Sequence, residues 1–214
     1  MPDEVSFRGH SVVSCGTMRP ELEKLRESGF LDADRVLYTA PGLHERPREL
    51  EGQLRSRLAA AQDAADKVIV LYGEKCFIDT TDPSRVTDTL LRENCPGATR
   101  IRASNCVDML VSKEMREKIA GGERVYWLTP GWVQHWSFIF KDWDAAMANE
   151  TFPQHDKAIL LDAIGFFDEY AARSPERVLE ISDWMKIPIE SHPVSLDRLK
   201  NLLLEALRSE PEAR

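Results

Sequence analysis

KVIVLYGEKCFID, residues Lys67 to Asp79, decides how this chain folds. It opens with Val68, Ile69, Val70, Leu71 and Tyr72, a run rich in β-branched types with no polar alternation. Such a run suits a strand buried on both faces, as in a parallel sheet covered by helices. Polarity then changes abruptly at Gly73, Glu74, Lys75 and Cys76, where glycine lets the chain turn without a Cβ clash. Ligands of open parallel sheets gather beyond the carboxyl ends of the strands, so Cys76 stands where chemistry is expected.

The same strand-then-turn pattern recurs on both sides. HSVVSC (His10 to Cys15) ends at Gly16, and Arg19-Pro20-Glu21-Leu22 opens a helix with proline in its first turn. RVLYTA (Arg35 to Ala40) leads into Pro41-Gly42-Leu43-His44, and a helix from Pro47 to about Ala65 carries Leu50, Leu54, Leu58 and Ala61 on one stripe. Beyond the central strand, a helix is predicted over Pro83 to Glu93. A weaker strand, RIRASNC (Arg100 to Cys106), continues through Val107 into a helix that stops at Gly121-Gly122. RVYWL (Arg124 to Leu128) runs into Thr129-Pro130-Gly131-Trp132, followed by a helix from Val133 to about Asn149. Its Trp136, Phe138, Phe140 and Trp143 read as core or subunit surface rather than a cofactor platform. KAILLDAI (Lys157 to Ile164) is a sixth strand with Asp162 near its end, where it has the place to orient a histidine or contact a substrate. Helices over Glu176 to Lys186 and Leu196 to Leu207 complete the chain, and a polar tail from Glu210 to Arg214 is expected to fray. About six alternations of strand and helix predict an α/β three-layer sandwich with a mostly parallel, Rossmann-like sheet of about six strands. No Pro, Gly or Ser linker divides residues 1–214, which read as a single domain.

Net charge is −8 and no basic run is interleaved with aromatics, which argues against nucleic acid as a partner. No apolar stretch approaches the roughly 20 residues of a membrane span, and MPDEVSFRGH lacks a signal peptide's pattern, so a cytoplasmic protein is expected. Four cysteines in 214 residues are too few for a disulfide scaffold and point to thiols or metal ligands. Phosphate-loop, GxSxG and HExxH patterns are missing from the sequence, leaving nucleotide binding and the common hydrolase chemistries without support.

Placed on this map, Cys15 ends the first strand, His44 follows the second, Cys76 follows the third and Cys106 ends the fourth. Parallel strands put all four on one edge of the sheet. Three thiols and an imidazole form a donor set for zinc first, with iron, cobalt or copper(I) as the other candidates. Helix N-termini after Cys15 and Cys106, and Lys75 beside Cys76, are expected to favour the thiolate. Lys75, Thr129, Gly131 and Trp132 stand on the same edge as candidate contacts to a bound ligand or cofactor. A lone cysteine is more often a small core hydrophobe, and His44 is equally suited to bonding backbone. Three cysteines at strand ends weaken the core explanation, whereas Cys95 falls outside the pattern. Among the other histidines, His135 lies on the right edge and His10, His155 and His192 have weaker claims.

Ser14-Cys15-Gly16 before a Glu-Leu helix, Leu43-His44 with Pro47, Tyr72-Gly73 leading to Cys76, Asn105-Cys106-Val107-Asp108-Met109-Leu110, and Tyr126 to Trp132 together resemble the ordered blocks of the DUF1638 family. The resemblance runs from about Val12 to Leu204. Glu74-Lys75 before Cys76 and Asn105 before Cys106 depart from the family's usual spacing and mark a divergent member. The resemblance implies an association with corrinoid-dependent methyltransferase systems, with a corrinoid, a corrinoid protein or a methyltransferase as partner in one-carbon transfer. Three functions are therefore carried forward. The first is a metal-binding protein using Cys15, His44, Cys76 and Cys106. The second is a metal-free thiol enzyme with His44 as base and Lys75 or Thr129 assisting. The third is a module that binds an acid or corrinoid, alone or as a homo-oligomer.

Overall fold

Val12 and Val13 are neighbours in sequence yet feed two different cores, because successive strand residues point to opposite faces. The same division separates Ile69 and Leu71 from Val68, Val70 and Tyr72, and Ile159 and Leu161 from Ala158 and Leu160. These strands are thus covered on both sides, as their unbroken apolar runs require. The structure, a computed structural model, describes residues 6–209. The predicted tail, 210–214, lies outside them.

The chain runs β1 (His10–Cys15), α1 (Arg19–Glu27), β2 (Arg35–Thr39), α2 (Pro47–Gln62), β3 (Lys67–Leu71), α3 (Thr87–Asn94), β4 (Thr99–Arg100), α4 (Cys106–Leu110) and α5 (Lys113–Ala120). It continues through β5 (Val125–Leu128), α6 (Pro130–Gln134), α7 (Trp136–Ile139), α8 (Ala145–Thr151), β6 (Lys157–Asp162), α9 (Phe166–Arg173), α10 (Pro175–Met185), β7 (Ile189–Pro193) and α11 (Asp197–Arg208). Single 3-10 turns, Gly16–Met18, Leu43–Glu45 and Glu74–Cys76, follow the first three strands.

The α/β class and the parallel pairing hold, but the strands form two sheets. One has four strands in the order β2-β1-β3-β4 and the other three in the order β5-β6-β7, every pair parallel. The expected single sheet of about six strands is corrected by what lies between them. Leu22 and Leu25 of α1, Met109 and Leu110 of α4, and Leu199, Leu202, Leu203 and Ala206 of α11 share one core with Ile69 on one side and Ile159 on the other. The outer face of the larger sheet is closed by α2 and α3, and that of the smaller by helices from α6 to α10. Each fully buried leucine in these cores contributes about 2 kcal/mol of transfer free energy.

Three local expectations also change. The strand over Arg100 to Cys106 stops at Arg100, because that side chain replaces a neighbouring strand: its Nη1 donates to the carbonyls of Tyr72 (3.3 Å), Ile101 (2.8 Å) and Ala103 (3.2 Å). Cys106 consequently opens α4 instead of ending a strand. The helix expected over Val133 to Asn149 is three short helices, broken at His135 (φ −116°, ψ 15°) and Phe140 (φ −102°, ψ 20°). Those breaks turn Trp136, Phe140 and Trp143 inward onto Trp132, Phe152 and Trp184. Phe138 stays at the surface beneath the cations of Arg46 and Lys141. Among the described residues, no helix is long and apolar enough to cross a membrane.

Candidate functional site

Glycines allow close backbone approaches at the carboxyl edges, one between the two sheets and one within the larger sheet. A Cβ on Gly131, at the start of α6, would stand 2.1 Å from the Thr17 carbonyl oxygen after β1, and one on Gly73 would stand 2.2 Å from that of Ser104. Only a residue without a side chain allows these approaches. The space left at the junction is a cavity of about 40 Å³. Cys15, Cys76 and Cys106 line it, with His44, Tyr72 and Trp132. Met18, Leu43, Leu71 and Met109 supply apolar walls. The four expected donors thus reach one place from segments spread over nearly half the chain. That volume admits a single ion with a small ligand, or a few waters, and is far too small for a corrinoid.

Each sulfur is held differently. Cys15 Sγ accepts a hydrogen bond from the Thr17 hydroxyl at 3.1 Å. Cys76 Sγ accepts from the Gly73 N–H at 3.3 Å, closing the 3-10 turn on itself. Burial pushes the Cys76 thiol up to about 12, with Cys15 adding to the shift and the Gly73 N–H, Arg100 and the Cys106 N–H opposing it. Burial drives Cys106 higher still, reinforced by Cys76, Cys15 and Glu21. The expectation that Lys75 and the helix start at Cys106 favour the thiolate is therefore corrected for these two residues. The five residues of α4 supply too small a dipole, and the turn that points Cys76 inward leaves Lys75 exposed. Tyr72 is fully buried, its hydroxyl bonded to that of Thr39. Burial, then the adjacent Cys15, hold its phenol well above the usual range.

The loops that carry the thiols are firmly tied. Asn105 Oδ1 accepts from the Asp108 N–H (2.9 Å), Asp108 Oδ2 from the Ser104 N–H (3.0 Å), and Arg198 on α11 reaches Asp108 Oδ1 (3.0 Å). The Thr87 hydroxyl donates to the Gly73 carbonyl (3.0 Å) and accepts from the Phe77 N–H (3.2 Å).

Of the other expected contacts, Trp132 lines the cavity and three residues do not. Lys75 faces solvent, Thr129 Oγ1 caps α6 by accepting the Trp132 N–H (3.4 Å), and Gly131 is spent on the backbone approach to Thr17. His44 stands at the mouth, its side chain 51% exposed and its Nε2 3.2 Å from Glu45 Oε1. Asp162 orients no histidine. It accepts the N–H groups of Ile164, Phe166 and Phe167 at 3.1, 2.9 and 2.8 Å and so seats the start of α9. His10 and His155 each bond a nearby carbonyl, and His135 ends α6, its pKa lowered by burial and by Arg19. Cys95 packs into the core beneath α2 and α3. Among the described residues, no group of three or more His, Cys, Asp or Glu side chains is already disposed to hold a metal ion.

Glu21 was not among the expected residues. It is wholly buried, neither carboxylate oxygen has a hydrogen-bond partner, and burial pushes its carboxyl up to about 8, with Asp162 contributing. Its position was legible, since Met18, Glu21, Leu22 and Leu25 follow the i, i+3, i+4, i+7 spacing of a buried stripe.

The sequence matches the family described as "Protein of unknown function (DUF1638)" over residues 38–203, a span that includes His44, Cys76, Cys106 and Trp132. No curated protein and no solved structure matches it.

Proposed function

The chain belongs to the DUF1638 family, and from the cavity itself we propose that it binds one soft divalent cation through the thiolates of Cys15, Cys76 and Cys106. The observation that carries this reading is the convergence of three thiols, from three separate segments, on a cavity of about 40 Å³ where Cys15 raises the cost of ionising Cys76, and both raise that of ionising Cys106. A divalent cation removes that cost, because metal binding releases thiol protons and replaces mutual repulsion with attraction. Zinc is the first candidate, with divalent iron and cobalt following from the same donors, and monovalent copper(I) the alternative for the softest donor set. On this reading the sulfurs rotate toward one another as the shell closes. Three protein thiolates leave a fourth position, and His44 at the mouth is placed either to fill it or to meet what enters.

A zinc centre of this kind activates thiols toward alkyl groups, which fits the one-carbon transfer implied by the family resemblance. The size of the cavity favours a corrinoid carried by a partner protein over one bound among these thiols. The second reading, a metal-free thiol enzyme, draws support from Cys15, whose sulfur already accepts the Thr17 hydroxyl. The elevated thiols of Cys76 and Cys106 oppose it.

Alkylation separates the two. Metal-stripped protein, treated with iodoacetamide with and without equimolar zinc and read by peptide mass spectrometry, should show zinc-dependent protection of Cys15, Cys76 and Cys106 together. Cys95 should be insensitive to zinc. Rapid labelling of Cys15 alone, unchanged by zinc, would favour the thiol enzyme.

A further inference from the structure

A second cavity, of about 240 Å³, lies between the end of β4 and the last turn of α11. It shares no lining residue with the thiol cavity. Ile101 and Ala206, both buried, form its floor, and the short alanine side chain gives it depth. Arg100, Arg102 and Arg208 stand around that floor with Glu205 and Ser209. Arg100 is already committed: its guanidinium pairs with Asp88 and donates to the carbonyls of Tyr72, Ile101 and Ala103, which fixes one wall. Arg102 and Arg208 are exposed, and among the described residues neither forms an ion pair. With Asp88 included, the three guanidiniums face two carboxylates, which leaves a positive spot on a chain of net charge −8.

We propose that this cavity binds a small hydroxylated phosphate monoester, its phosphate held between Arg102 and Arg208. A carboxylate is satisfied by a single guanidinium fork, whereas the three free oxygens of a phosphate suit two forks that approach from separate elements. Glu205 repels bare phosphate but accepts from a hydroxyl on the organic part, so the site prefers an ester to the free ion. The volume falls below the roughly 300 to 1,000 Å³ of pockets for drug-sized ligands, which limits the organic part to a few carbons and excludes a nucleotide.

Titration calorimetry with glycerol 3-phosphate, inorganic phosphate and succinate tests this on the full chain. Wild-type protein should bind glycerol 3-phosphate one to one with a Kd of about 1 mM or below, and inorganic phosphate and succinate more weakly. Binding should persist at about 0.15 M salt, where diffuse attraction to surface charge is largely screened. Arg102→Ala and Arg208→Ala should each weaken it at least about tenfold, the loss of one charge-assisted hydrogen bond. Glu205→Ala should weaken the ester and tighten inorganic phosphate. Arg48→Ala removes an exposed arginine that lines neither cavity and should match the wild type. All four replaced side chains are exposed, and melting curves establish that each variant is folded. No saturable binding of glycerol 3-phosphate would overturn the assignment, as would an equal loss in Arg48→Ala. Succinate bound as tightly as the ester would overturn the phosphate.

Discussion

Gly131→Ala should cost about 3 kcal/mol or more, read as a shift in the urea midpoint at unchanged slope. The new Cβ would stand 2.1 Å from the Thr17 oxygen, 2.7 Å from its carbonyl carbon and 2.9 Å from its Cα. All three are backbone atoms, so no side-chain rotation relieves the overlap. The start of α6 must move away from the turn after β1, taking Trp132 and Cys15 apart and widening the cavity between them. Gly52→Ala gives the contrast. That glycine lies on the exposed side of α2, where a Cβ meets nothing within 4 Å, and the change should stabilise by about 0.5 to 1 kcal/mol. A Gly131→Ala protein as stable as the wild type would mean that the two sheet edges are not held together there.

Glu21→Gln should stabilise the metal-free protein increasingly as pH rises from about 4.5 to 8. The carboxyl titrates near 4.5 when unfolded and is pushed up to about 8 by burial in the folded chain. Below the lower value both states are protonated and the buried acid costs little. Between the two values the unfolded state sheds its proton while the folded state keeps it, so wild-type stability falls with rising pH and levels off above the upper value. The amide cannot ionise and escapes this loss. The gap between variant and wild type should therefore open to roughly 4 kcal/mol at pH 8, measured by denaturation in a chelating buffer. His135, depressed by burial and Arg19, loses stability in the opposite sense as pH falls, but does so equally in both proteins. A gap that stays constant from pH 5 to 8 would show that Glu21 is neither isolated nor raised.

The lining of the cavity was more legible in the sequence than the division of the strands into sheets. Strands β1 and β3 were legible because Val12, Val13 and the run from Val68 to Tyr72 are apolar on both faces, and parallel strands carry whatever follows them to one edge. That argument brings Cys15, His44 and Cys76 to one cavity, and Cys106 lines it too although the residue opens a helix. Alternation of strands and helices does not say which strands are hydrogen-bonded neighbours, so the division into two sheets was hidden. So was β7, whose IESHP carries no apolar run. Lys75 was misplaced because a 3-10 turn sends adjacent residues in different directions, Cys76 inward and Lys75 outward. The thiol shifts were misjudged in sign for Cys76 and Cys106 because burial outweighs a short helix. Burial depends on the packing of α4 against α11, and sequence spacing does not report it.

The most direct test is metal content by mass spectrometry on untagged, anaerobically purified protein, repeated for Cys15→Ser, Cys76→Ser and Cys106→Ser with Cys95→Ser as control. The account predicts close to one metal per chain in the wild type and the Cys95 variant, and loss of that metal in each of the other three. Metal-free wild-type protein, or metal retained when any two of the three cavity cysteines are replaced in turn, would contradict it.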